Sequence, residues 1–222
     1  MKKYLLILTL CLSNQVIAQT YLLKYEVTKN IKGRQITVPF PYILETDGEK
    51  SVFYPSIEDK KEFFKYTFEE SKAIYTGAGA VPIYYDIKSK KLDFLVHKIK
   101  ADGLVLLTNR PIMKWEITNE TKQIGTFTCY KAIGTDSELW GNSRKYIVWF
   151  TPTPNLNVGP KQLQGLPGMI VTAEDENKNL TFKLISVEVT NKITRTLDPD
   201  ISIPQQDATE FGEMVAKLRR QK

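Results

Sequence analysis

Histidine, cysteine and paired carboxylates carry most protein chemistry, and this sequence is sparing with the first two. It has one histidine, His97, and two cysteines, Cys11 and Cys129. A Ser-His-Asp or Cys-His apparatus, or a histidine-rich zinc site, would have to use His97. That residue lies in "DFLVHKI", where Phe94 and Val96 point to one strand face and Leu95, His97 and Ile99 to the other. A half-buried strand histidine with a local hydrogen bond accounts for it. Cys129 sits in the alternating run "GTFTCYKAIG", beside nothing that would lower a thiol pKa, so a small buried hydrophobe is expected there. An intermolecular disulfide or a reactive thiol is the sharper alternative. His97, Cys129, Met113 and Met169 are the soft donors a copper site would draw on. A metal-binding protein, for copper or zinc, or an enzyme using His97 and Cys129 is therefore the rival reading.

Hydrolysis by paired carboxylates needs two acids converging in a cleft. Glu45, Asp47, Glu49, Asp86, Asp93, Glu116, Glu120, Asp175 and Glu176 fall mostly at turns or at strand positions that read as exposed. Asp175-Glu176-Asn177 lacks the alternate spacing of a calcium loop. Gly77-Ala78-Gly79-Ala80 lacks the Lys-Ser/Thr that follows a phosphate-binding glycine loop. Asn119-Glu120-Thr121 and Asn179-Leu180-Thr181 match a glycosylation acceptor pattern, which the composition of two hairpin turns explains. No catalytic residue, metal ligand set or cofactor is assigned, and a non-enzymatic protein is expected.

The elements around these residues are mainly strands. Period-two alternation recurs in short runs broken by turn residues. The runs are "YLLKYEVTKN", "YILETDGEKSVFY" about Asp47-Gly48, "PIYYDIKSKKLDFLVHKI" about Lys88 to Lys91, "GLVLLTN" and "RKYIVWFTP". "IMKWEITNETKQIGTFTCYKAIG" reads as two strands joined through Asn119 to Lys122, and a last hairpin turns at Asp175 to Asn179. "DATEFGEMVAKLRRQ" reads as a helix capped by Asp207, with Phe211, Met214, Val215 and Leu218 on one apolar face. It is expected to pack on the sheet; docking a partner complex is the alternative. Ser56 to Ser71 is ambiguous between helix and strand, with a helical first half favoured. The fold class is mainly β: a single strongly curved antiparallel sheet or partly closed barrel, with a C-terminal amphipathic helix and short helical turns.

The N-terminus sets the compartment. Lys2 and Lys3, the apolar run Tyr4 to Leu12 and then Val16-Ile17-Ala18 follow the pattern of a secretory signal peptide, cleaved after Ala18. Residues 1–18 are then the signal and residues 19–222 one β-rich domain. Removing Lys2 and Lys3 from 31 basic residues leaves 29 against 25 acidic, a mild excess that suits no nucleic-acid partner. The lysines fall near turns. The mature chain keeps Cys129 as its single cysteine, so no internal disulfide forms and the core must supply the stability.

One segment resists a bland reading. "GPKQLQGLPGMIV" holds Gly159, Pro160, Gly165, Leu166, Pro167 and Gly168 ahead of a strand former. Pro160 would open a short helical turn through Gln164, with Gly165 as its left-handed cap. Pro167 and Gly168 carry a type II turn signature, and Leu166 would tuck into the core. Trp115, "ETKQIGTFTCYKA", "KYIVWFTPTPNLNVGP" with Trp149, and "GLPGMI" occur in that order. This order resembles the GLPGLI family of exported Gram-negative envelope proteins over roughly residues 112–170, with Met169 in place of the second motif leucine. The resemblance implies export and no established catalytic residue. No obvious C-terminal secretion domain follows Leu218, which favours the periplasm, with release outside the cell as the alternative. The resemblance also implies a possible outer-membrane transport partner, since members are often encoded beside TonB-dependent receptors. Its curved sheet is similar to periplasmic lipoprotein carriers, which implies an apolar ligand as the other option. The residues named in "GPKQLQGLPGMIV", with Trp149, are thus candidates for structure or recognition rather than catalysis. No transmembrane span is expected in the mature chain.

Overall fold

A computed structural model describes residues 19–31, 33–57, 82–97, 103–136 and 144–220. Its strands are β1 (Thr20–Ile31), β2 (Arg34–Thr37), β3 (Tyr42–Thr46), β4 (Lys50–Pro55), β5 (Ile83–Asp86), β6 (Lys91–His97) and β7 (Leu104–Thr108). There follow β8 (Lys114–Ile124), β9 (Phe127–Thr135), β10 (Lys145–Thr151), β11 (Met169–Asp175), β12 (Leu180–Thr190) and β13 (Gln205–Asp207), then helix α1 (Ala208–Arg220). They form one 13-stranded sheet in the order β13-β7-β6-β5-β4-β3-β1-β12-β11-β10-β9-β8, with β2 paired beside β1. β13 pairs with β7 in parallel. The sheet is therefore mixed rather than wholly antiparallel, because β13 arrives through a long strap, residues 191–204, and no hairpin dictates its direction.

Most turns obey their residue chemistry. Asp47 Oδ1 accepts the N–H groups of Glu49 at 2.8 Å and Lys50 at 2.7 Å, and Gly48 supplies φ 89°. Asp175 Oδ1 accepts those of Asn179 at 2.5 Å and Leu180 at 3.1 Å. The expected turn at Asn119 to Lys122 is not one. β8 continues through Ile124 and the chain reverses at Gly125. β8 is an edge strand and mostly exposed, so its polar residues cost nothing there. The Thr-Asn-Glu run instead forms an irregularity in register between Ile117 and Thr121. Asn119 thus lies in a strand, and Asn179 in a turn as expected. The signal peptide, Ser56 to Ser71 beyond Ile57, and Gly77 to Ala80 lie outside the described residues.

The sheet rolls up. Only residues 109–113 join β7, near one end of the strand order, to β8 at the other. That link reaches about 20 Å at most, whereas a flat sheet would hold the two strands about 50 Å apart. The inner face buries one core, with Leu23 and Tyr25 of β1, Leu44 of β3, Leu92 and Phe94 of β6, Val148 of β10 and Phe182 of β12. α1 closes against β7 and β13 with Ala208 and Phe211 buried, while Met214 is exposed. Asp207 caps it as expected, accepting the N–H groups of Thr209 at 2.8 Å and Glu210 at 3.4 Å. The helix thus packs on its own sheet.

The strap covers part of the outer face. β3 is buried on both sides: Tyr42 and Leu44 face the main core, while Ile43 joins Val52, Tyr54 and Leu197 under the strap. Glu45 was expected at an exposed position and is instead fully buried. Its carboxylate accepts hydrogen bonds from Tyr54 Oη, from Thr194 N at 2.6 Å and from Thr194 Oγ1 at 2.5 Å. Arg195 lies over the Tyr54 ring at 4.5 Å. Burial, with the Glu45 hydrogen bond, pushes the Tyr54 phenol up to about 12. Asp93 is buried as well, 3.1 Å from Lys91 Nζ. Alternation could not reveal either acid, because only the tertiary return of the strap covers that face. Glu45→Ala would strand the Tyr54 and Thr194 donors. It is expected to cost about 2–3 kcal/mol in chemical denaturation and to make the strap the first site of trypsin cleavage, at Arg195.

Candidate functional site

Residues 152–168 leave the end of β10 and return to the start of β11, and they do not stay on the surface. Leu156, Val158, Leu163 and Leu166 are all buried in the same core as the inner face of the sheet. The concavity of the rolled sheet is therefore occupied by the chain's own loop. A buried loop must satisfy its backbone without strand or helix ladders. Here Ile170 N donates to Val158 O at 3.1 Å and Leu163 N to Pro160 O at 3.1 Å. The side chain of Gln164, 1% exposed, adds further partners. Its Oε1 accepts from Gly159 N at 3.1 Å, and its Nε2 donates to Gly159 O at 2.5 Å and Lys161 O at 3.0 Å. Trp115 Nε1 donates to Gln164 O at 2.7 Å, tying β8 to the loop. On the other side Tyr25 Oη donates to Ile170 O at 2.7 Å.

The motif glycines act differently from expectation. Pro160 to Gln164 is no helical turn but a single β-turn, with Lys161 at φ 53°. Gly165 takes the left-handed φ of 97° without a helix to cap; it runs past Trp115 and Ile112. Gly168 has φ 159° and makes no type II turn. Its requirement is close approach: a Cβ there would sit 2.4 Å from Thr151 O. At Gly159 a Cβ would meet Leu163 O at 2.1 Å. Leu-Pro-Gly reads locally as a turn, but pairing of Met169 with Thr151 pulls the chain straight into β11. Leu166 is buried as expected. Trp149 lies away from this loop's core contacts, with Lys122 Nζ 3.9 Å above its ring.

Charge gathers where the loop ends its inward run. Arg110, just past β7, and Asp136, just past β9, are both 7% exposed. Arg110 Nη2 donates to Asp136 Oδ1 at 3.0 Å and Oδ2 at 2.8 Å, and the guanidinium stacks 4.8 Å from the Phe94 ring. Gln162 Nε2 donates to Tyr146 Oη at 3.0 Å, and burial raises that phenol's pKa. Lys161 is half-buried at the turn. Desolvation first, then the charges of Lys29, Arg144 and Arg110, lower its ammonium to about 7 against the pull of Asp136. Burial also lowers Lys29. Sequence reasoning missed this cluster because its members come from five separate segments. The one signal was a lysine inside the motif.

The soft donors lie on separate elements. Met113 and Met169 are core side chains. Cys129 is buried on β9, its thiol pKa raised by burial. On β6, His97 pairs with Leu104 of β7, and seven strands stand between β6 and β9 in the sheet order. Among the described residues no group of three or more His, Cys, Asp or Glu is placed to hold a metal. No helix there is long and apolar enough to cross a membrane.

No family model matches the sequence, and no curated protein matches it closely. Among solved structures it is similar to PNGF-II in two crystal forms, each at 19% identity, with TM-scores of 0.60 in P21 and 0.58 in C2. Each match covers 91% of this chain and 34% of the other, so this chain spans about a third of PNGF-II. At that identity the likeness concerns the fold. A LolA superfamily protein from Nitrosomonas europaea also matches, with TM-score 0.31, 8% identity and coverage of 77% of this chain and 86% of that one.

Proposed function

We propose that this chain is a non-enzymatic, exported binding module that engages another envelope protein through its outer surface, with an outer-membrane transporter as the favoured partner. The observation that supports a protein partner over an apolar ligand is the filled concavity. A carrier of acyl chains needs an empty apolar space inside its curved sheet. Here Leu156, Val158, Leu163 and Leu166 take up that space. The signal-peptide pattern of residues 1–18 supports export, and the segment order across residues 112–170 supports an envelope setting.

Native mass spectrometry of protein purified from an envelope fraction tests the reading. The expected result is a mass without bound lipid, together with reproducible crosslinking to an outer-membrane transporter in cells. A stoichiometric lipid adduct would overturn it in favour of a carrier. Turnover abolished by His97→Ala with Cys129→Ser would overturn it in favour of an enzyme.

A further inference from the structure

An open strand edge recruits further strands, and proteins normally guard such edges. Here β13 is three residues long and lies against α1, and β2 is four residues long. β8 is longer, but the irregularity between Ile117 and Thr121 breaks it, and Lys114, Glu116, Glu120 and Lys122 charge it. One further edge opens inside the sheet. β11 pairs with β12 only from Thr172 to Glu174, against Thr181 to Lys183. The inserted loop explains why the pairing stops. Ile170 donates its N–H to Val158 O and gives its carbonyl to Tyr25 Oη, so it offers β12 nothing. β12 runs on to Thr190, held by β1 on its other side. Among the described residues, Leu184 to Thr190 have no backbone partner on the side that β11 leaves.

This edge is poorly guarded. It reads LISVEVT, without proline and with four β-branched residues. Its one irregularity against β1 falls at Ile185 and leaves Ser186 to Thr190 regular. Its one charge, Glu188, is already paired with Lys24 at 2.7 Å. Ile185 and Val189 are 54% and 59% exposed.

We propose that this edge pairs with the same edge of a second copy of the chain, in an antiparallel dimer that continues the sheet across a two-fold axis. Such an axis is normal to the sheet and keeps each face on its own side. Opposed residues must then share a face, so the axis passes through a residue. Centred on Ser186, the pairing drives Thr190 of one copy against Phe182 of the other, where β11 is already paired. Centred on Glu188, it sets two carboxylates directly opposite each other, which is unfavourable. Centred on Val187, it uses the whole of Leu184 to Thr190. Glu188 then faces Ser186, whose hydroxyl donates to the Glu188 of its own copy at 3.2 Å. Ile185 faces Val189, so exposed apolar side chains cover each other. Seven residues a side make a small interface, so the association is weak and concentration-dependent. The proposal is independent of the partner-binding reading, since it needs this chain alone.

Sedimentation equilibrium of the purified protein, from about 5 to about 500 µM, tests it. The expected result is a weight-average mass that climbs from one chain toward two. Ile185→Lys with Val189→Lys sets introduced ammonium groups against each other across the axis, and it is expected to stay monomeric. Ile185→Glu with Val189→Glu is expected to do the same. An equal mixture of these two double variants should form a heterodimer, because each introduced lysine then meets a glutamate. Ile201→Lys, on the strap at 78% exposure, should dimerise like the parent. A parent that stays monomeric at the highest concentration would overturn the proposal and leave the edge to a strand of another protein. Dimers that persist in both double variants would also overturn it, because the contact would then lie elsewhere. So would a mixture that stays monomeric although both variants keep the parent's circular dichroism and melting temperature.

Discussion

Gly168→Val is expected to leave the protein largely unfolded, costing more than about 4 kcal/mol in chemical denaturation. The reason is contact rather than turn chemistry. The added Cβ would sit 2.4 Å from Thr151 O, 2.8 Å from Thr151 C and 2.9 Å from Phe150 Cδ2. Two of these atoms are backbone, in the strand that Met169 must pair with. They cannot move aside without undoing the start of β11. Gly159→Ala faces a similar obstruction at Leu163 O and should rank with it. Gly125→Ala is the comparison. Its Cβ meets open space, so only the left-handed φ of 56° opposes it, at about 1 kcal/mol. The denaturation midpoints of the three variants check this order. A Gly168→Val protein with an unchanged midpoint would mean that β10 and β11 do not approach as described.

Asp136→Ala should cost about 3–5 kcal/mol, because it leaves the Arg110 guanidinium buried and unpaired. The pair joins the exit of β7 to the exit of β9, on either side of the seam where the rolled sheet comes back on itself. Its loss therefore acts on the roll rather than on one strand. Replacing both residues, with Arg110→Met and Asp136→Leu, is expected to recover most of the loss, since neither charge is then stranded in the interior. If Asp136→Ala costs less than about 1 kcal/mol, water reaches the pair and the seam is open. The rescue by the double variant separates stored charge from lost packing.

Much of the sheet was legible locally. Alternation placed β1, β3, β4, β6, β7 and β10, and Asp47-Gly48 and Asp175 to Asn179 announced their turns through carboxylates that accept nearby N–H groups. The turn at Gly125 was obscured because polar composition at Thr118 to Lys122 marks an exposed edge as readily as a loop. The buried Glu45 was invisible for a different reason. A carboxylate on an alternating strand looks solvated until a strap from 149 residues away supplies its donors. The candidate site was the least legible. Gly159 to Gly168 was recognisable as a marker, yet its local grammar suggested a surface turn. Nothing in "QLQG" says that Gln164 will stand in for a backbone ladder inside a core. Arg110 and Asp136 meet only after the sheet has rolled, so no spacing rule could unite them.

Hydrogen–deuterium exchange across residues 155–168 tests most directly whether the loop fills the sheet. If it does, the amides of Gly159, Leu163 and Gln164 exchange nearly as slowly as those of β1 and β10, because they are bonded and enclosed. Exchange of those amides at the rate of an open surface loop, while β1 and β10 stay protected, would contradict the filled concavity and restore an accessible apolar interior.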